Sequence, residues 1–133
     1  MLEEGLTNRI IQAYYNVYNR LGFGFLEKVY ENALILELQR LKIYGRRQVK
    51  IDVFDLNTRV GEYFADIIVE EIVIIEIKAA EGLREEHEAQ LTNYLRATPI
   101  EIGLLFNFGK KPEFKRKIFE NKFKKSVPIR LIR

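Results

Sequence analysis

Apolar positions recur at helical spacing through residues 3–20, where Ile10, Tyr14, Val17 and Leu21 fall on one face with Leu6, Ile11 and Tyr18 beside them. This pattern predicts a first amphipathic helix. The segment Leu21-Gly-Phe-Gly24 interrupts it with two helix-stopping glycines. A second helical pattern follows over residues 25–42, carried by Leu26, Val29, Tyr30, Ala33, Leu34, Leu38 and Leu41, with Glu27 in its first turn. Residues 43–47 read as a loop. The period then changes to two. Val49, Ile51 and Val53 alternate with Lys50 and Asp52, predicting a strand over 48–54. Turn residues at 55–58 lead into a second strand over 59–69, and an acidic turn at Glu70-Glu71 leads into a third that runs to Lys78.

Residues 85–97 return to helical spacing and stop before Pro99. Residues 100–108 are nearly all apolar, the mark of a strand covered on both faces. Beyond Gly109, Phe114, Ile118, Phe119 and Phe123 allow a helix, while 127–132 looks extended. The order of elements predicts one α/β domain over 1–133, with a mixed sheet of about four strands flanked by helices and a basic segment at 110–133.

Composition narrows the class. A chain of 133 residues with 47% hydrophobic and 31% charged residues has the make-up of a soluble globular domain. No long apolar run predicts a membrane span, and early charges (Glu3, Glu4, Arg9) do not suit a signal peptide. The expected setting is cytoplasmic. The absence of cysteine excludes disulfides, thiolate metal sites and cysteine nucleophiles, and a single histidine, His87, excludes multi-histidine zinc sites. Net charge is only +3, but residues 110–133 carry ten Lys/Arg against two acids. Such a segment suits a polyanion, although a solvated basic tail has the same composition.

The chemistry is concentrated in the 64–78 hairpin, where Asp66, Glu76 and Lys78 stand among β-branched residues. A two-residue turn at 70–71 would pair Asp66 with Ile75 and put Glu76 on the opposite face; a three-residue connection would pair Asp66 with Glu76. Lys78 then shares the Glu76 face. Charges alternating with isoleucines also describe a half-solvated strand. Here both faces are apolar, with Phe64, Ile68 and Ile74 on one and Ile67, Val69, Val73, Ile75 and Ile77 on the other, and idle ions are costly in such a place. On the third helix, His87, Gln90 and Tyr94 share a face, which by itself is ordinary surface polarity.

Taken together, Asp66, Glu76-Ile-Lys78 and Gln90-Leu-Thr-Asn-Tyr94 resemble the PD-(D/E)XK nuclease superfamily, with Ala65 where the superfamily name has proline. A closer resemblance is to its GxxExxY family, through Gly24-Phe-Leu-Glu27-Lys-Val-Tyr30, Glu31-Asn-Ala-Leu34, Arg47-Gln48, the stretch from His87 to Leu95 and that from Gly103 to Gly109. The resemblance implies a restriction-endonuclease-like fold and a nuclease dependent on Mg²⁺ or Mn²⁺. Metal ligands would be Asp66, Glu76, the Ile77 carbonyl and Glu27. Lys78 would position a water, and Gln90 and Tyr94 would orient substrate or the acids. Nucleic acid, DNA foremost, is the implied partner, with a homodimer as one assembly. The alternative is a non-catalytic nucleic-acid-binding or regulatory module on the same fold. A glycosidase with paired carboxylates leaves Lys78 and the basic segment unexplained.

Overall fold

The computed structural model describes residues 3–124, so the extended reading of 127–132 lies outside the described residues. Helices α1 (Glu4–Leu21) and α2 (Glu27–Arg40) precede strands β1 (Gly45–Asp55), β2 (Thr58–Val69) and β3 (Val73–Lys78). Helix α3 (Glu85–Arg96), strands β4 (Ile102–Phe108) and β5 (Pro112–Ile118) and a short α4 (Asn121–Lys124) follow. The five strands form one sheet in sequence order; β3 and β4 run parallel and the other neighbours antiparallel. The domain is mixed α/β, with helices on both sheet faces.

One boundary, one strand and one side chain differ from the sequence reading. The first strand begins at Gly45 rather than 48, because Gly45 already pairs with Val69. Residues 112–118, ambiguous from their aromatic spacing, form a fifth strand: Phe114 pairs with Phe106, and Ile118 with Ile102. Phe64, expected on the Ile68 and Ile74 face, is 48% exposed. The reason lies two residues further on. Arg47 pairs with Ile67 and Val49 with Ala65, but Gln48 and Asp66 between them form no ladder pair, and Gln48 has φ 50°. Ile67 packs with α1 and α2 residues, whereas Ala65 packs with Leu91 and Leu95 of α3. The in–out alternation of β2 therefore slips across Asp66.

Helix α1 buries Ile10, Ala13, Tyr14 and Val17 completely, an i, i+3, i+4, i+7 stripe against the sheet. The Tyr14 ring stacks on Phe106 with centroids 4.3 Å apart, and its hydroxyl donates to the Asn107 carbonyl. Tyr30 of α2 stacks on Phe108 and donates to the Gly22 carbonyl at 2.7 Å, while the Phe25 N–H donates to Tyr30 Oη at 3.2 Å. The tyrosine of the Gly24–Tyr30 motif thus pins the loop that delivers Glu27. On the other face, Leu91 fills the space a side chain at Gly103 would need, since a Cβ there would sit 2.7 Å from Leu91 Cδ1. That close approach seats α3 on β4.

Candidate active site

The β2–β3 connection decides whether the carboxylates meet. Val69 pairs with Val73, Ile68 with Ile74 and Ile67 with Ile75, so residues 70–72 form a three-residue connection. Glu70 and Glu71 both take positive φ, at 53° and 58°, a conformation disfavoured for side-chain-bearing residues. Cross-links to β1 and the residue before it hold them there. Glu70 accepts the Tyr44 N–H at 3.2 Å, and Glu71 takes a two-pronged contact from Arg46 at 2.7 and 2.9 Å.

Continued by one residue, this register sets Asp66 opposite Glu76. Side chains replace the ladder there. Glu76 Oε2 accepts the Asp66 N–H at 2.9 Å, and Asp66 Oδ2 accepts the Ile77 N–H at 2.8 Å. Each carboxylate is fixed by the backbone of the other strand. Burial pushes the Glu76 carboxyl up to about 8; the Asp66 and Glu27 charges add to this, while the Asp66 N–H and the Lys78 charge oppose it. Asp66 is also raised, chiefly by burial and then by the Glu31 charge, against the Ile77 N–H.

Lys78 lies on the Glu76 side of β3, its ammonium 3.5 Å from Gln90 Oε1. Tyr94 is 5% exposed, packs beside Tyr63 and has its phenol raised to about 12 by burial and by the Glu76 and Asp66 charges. Glu27, in the first turn of α2, accepts the Ala79 N–H at 3.3 Å. It lines a cleft of about 610 Å³ with Phe23, Phe25, Leu26, Ala79 and Lys110. Ile77 contributes its peptide at the same strand end, with its side chain buried on the α1 and α2 face. His87 stands apart: its Nδ1 accepts the Arg84 N–H at 3.1 Å and closes the start of α3.

Among the described residues, no three Asp, Glu, His or Cys side chains form a ready-made metal cage. Asp66 and Glu76 nevertheless offer hard oxygen donors, held in place by backbone N–H groups. Such a donor set fits a hard divalent cation that takes one or two carboxylates and completes its shell with water and phosphate oxygens. Two supports have no assigned role in the sequence reading. Gln48 Nε2 donates to Glu31 Oε1 at 2.8 Å and lies 3.4 Å from Asp66 Oδ1. Asn107 bonds both the N–H and the carbonyl of Ala80, at 2.9 and 3.0 Å, and fixes the chain just after Lys78. Both residues stand inside motif stretches, which was the available signal, but their partners are distant in sequence.

A family model of the PD-(D/E)XK nuclease superfamily matches residues 4–117, and the chain belongs to that superfamily. Its nucleases generally use divalent metal ions. Among solved structures the chain is similar to the crystal structure of SSO0001, with TM-score 0.53, 17% identity, and coverage of 79% of this chain and 56% of that one. It is similar also to an alkaline exonuclease (LHK-Exo) from Laribacter hongkongensis, with TM-score 0.54, 12% identity, and coverage of 79% and 62%. The chain thus spans less than two thirds of either, and at these identities the likeness is one of fold, a restriction-endonuclease-like one. No curated protein matches the sequence.

Proposed function

We propose that this member of the PD-(D/E)XK superfamily is a divalent-metal-dependent nuclease that hydrolyses phosphodiester bonds in DNA, and that it belongs to the GxxExxY branch. One observation carries the reading: Asp66 and Glu76 are locked across two strands by reciprocal bonds to backbone N–H groups, with Lys78 on the Glu76 side. Burying two acids together costs a fold stability, a cost that a site for a divalent cation recovers when the ion binds.

In this reading Asp66, Glu76 and the Ile77 carbonyl hold Mg²⁺ or Mn²⁺, with Glu27 reaching the ion directly or through water. The ion, when bound, polarises the scissile phosphate and acidifies a water. Lys78 orients that water for attack on phosphorus and stabilises the negative charge that develops as the P–O bond breaks. Gln90 steadies the Lys78 ammonium. Tyr94 closes the inner wall beside the acids. The cleft at Glu27 is not lined by Asp66, Glu76 or Lys78 but begins at Ala79, directly after Lys78, and offers the strand Phe23 and Phe25 as half-exposed stacking surfaces and Lys110 for a phosphate.

The test is incubation with single-stranded, double-stranded and branched DNA, and with RNA, in Mg²⁺ or Mn²⁺ and again with chelator. Cleavage of DNA that stops with chelator and with Lys78→Ala is the expected result. DNA binding without cleavage under every condition would favour a non-catalytic binding module.

A further inference from the structure

Gln48 combines an unusual backbone with an unusual side-chain position. Its φ of 50° is the left-handed region, which a residue with a Cβ enters only when its surroundings compel it. It sits opposite Asp66, at a lapse in the β1–β2 ladder between Arg47 and Val49 that is separate from the register shift at Val53/Phe54. The side chain reaches toward two acids, with Nε2 2.8 Å from Glu31 Oε1 and 3.4 Å from Asp66 Oδ1. Carboxylates only accept hydrogen bonds, so the amide must present its NH₂ to both. Glu31 is itself fixed: it is 4% exposed and bonded to Lys28 at 3.2 Å and Arg47 at 3.3 Å. Neither Glu31 nor Gln48 has a part in the proposed hydrolysis.

We propose that Gln48 is a positioning residue for the cation site, tying Asp66 to the anchored Glu31 through its amide and so fixing the direction in which the Asp66 carboxylate is presented. The inference rests on the reading of Asp66 as a metal ligand. The Ile77 N–H holds one oxygen of Asp66 and Gln48 approaches the other, so the carboxylate cannot rotate about its own axis without losing a bond. Glu31 already takes Lys28, Arg47 and Gln48, which leaves it an anchor rather than a further ligand. The left-handed backbone directs the Gln48 side chain at this junction, and the slip in the β2 alternation accompanies it.

Calorimetric titration of the protein with Mn²⁺, beside thermal denaturation, tests this without relying on turnover. Gln48→Gly suits the positive φ and removes the whole exposed side chain with its amide. Its melting temperature should equal or exceed the parent's, while its Mn²⁺ affinity falls about tenfold or more, as expected when a partner that orients a metal ligand is lost. Gln48→Asn keeps an amide too short to span both acids and tolerates the same backbone, so it should show the same loss and serves if the glycine variant does not fold. Mn²⁺ affinity within twofold of the parent in a folded variant overturns the inference alone. A parent protein with no Mn²⁺ affinity overturns both the inference and the cation site on which it rests.

Discussion

Two glutamates, Glu37 and Glu76, expose equally little surface, at 1% and 4%, but Glu37 is covered by the side chains of the half-exposed Arg20 and Arg40 while Glu76 lies deep in the sheet, and their proton affinities move in opposite directions. Glu37, where α2 meets α1, is bonded by Arg40 at 2.7 Å, Arg20 at 3.0 Å and Asn16 at 2.8 Å. Its carboxyl is held down at about 2, first by the Arg40 hydrogen bond. Glu76 has another acid across the strand, and burial lifts it to about 8. Low exposure alone therefore does not separate the two acids; their depth in the fold and the company each keeps do. Glu37 has its cations built in. Glu76 lies across from Asp66 and feels only the Lys78 charge against the charges of Asp66 and Glu27.

The sharpest way to break this contrast is Glu76→Gln. The amide can still accept the Asp66 N–H, so the fold should hold, with a melting temperature at or above the parent's at pH 8. Cleavage should fall on the order of 10³-fold, equivalent to about 4 kcal/mol of barrier. A variant that still cuts, or one that loses its fold, would remove Glu76 from the functional side of the comparison.

Stability against pH in metal-free buffer gives the next largest effect. Unfolded Glu76 releases its proton near 4.5, whereas the folded group keeps it to about 8. Between those values the native state binds more protons, so this stabilisation is full below about pH 4.5 and is lost as pH rises through about 8. Each unit within the window removes about 1.4 kcal/mol. Mg²⁺ should reverse the trend, raising the melting temperature more at pH 8 than at pH 5, because the bound carboxylate must be ionised. A parent and a Glu76→Gln variant with the same pH profile would show that Glu76 is not the group responsible.

Glu37→Gln probes the other side. Losing the charged bonds to Arg20 and Arg40, both half or more exposed and so screened by solvent, should lower stability modestly at neutral pH, with cleavage per folded molecule unchanged. The sign with pH is also opposite. The folded group is depressed, so its contribution is present above about 4.5 and lost as pH falls through about 2. Denaturant titrations at pH 7 and pH 3 on parent and variant should converge toward the acid end; a constant gap would assign the loss to packing instead of charge.

The sequence revealed most where a local pattern meets a long-range constraint. Asp66, Glu76 and Lys78 were legible because a period of two in β3 fixes which side chains share a face, and only the loop length remained open between two registers. Helical spacing likewise located Gln90 and Tyr94. Gln48 was not legible as a support, since its left-handed backbone has no signature in a non-glycine residue and its bond to Glu31 crosses 17 positions. The same slip misplaced Phe64, because alternation counted along β2 assumes an unbroken ladder. Strand β5 was hidden by its edge position: Phe114 packs against the core on one side while Lys115, Arg116 and Lys117 keep the edge polar, so apolar spacing was too sparse to choose a period.

The smallest predicted effect extends the comparison from acids to lysines. Because β3 and β4 are parallel, with Lys78 beside Asn107, the chain leaves β4 at the carboxylate end and places Lys110 in the cleft with Glu27. Strand β5 then runs back along β4, so Lys117 stands opposite Gly103, far along the strand from Asn107, and pairs with Glu88. Among the described residues the basic side chains after Gly109 are therefore not one patch. If DNA occupies the cleft, Lys110→Ala should reduce the slope of log affinity against log salt by about 0.9, the value for one phosphate contact on a duplex. Lys117→Ala should leave the slope unchanged, since its charge is already answered by Glu88. Equal slope changes in the two variants would mean that DNA lies along β5 as well, and an unchanged slope in Lys110→Ala would take the strand out of this cleft.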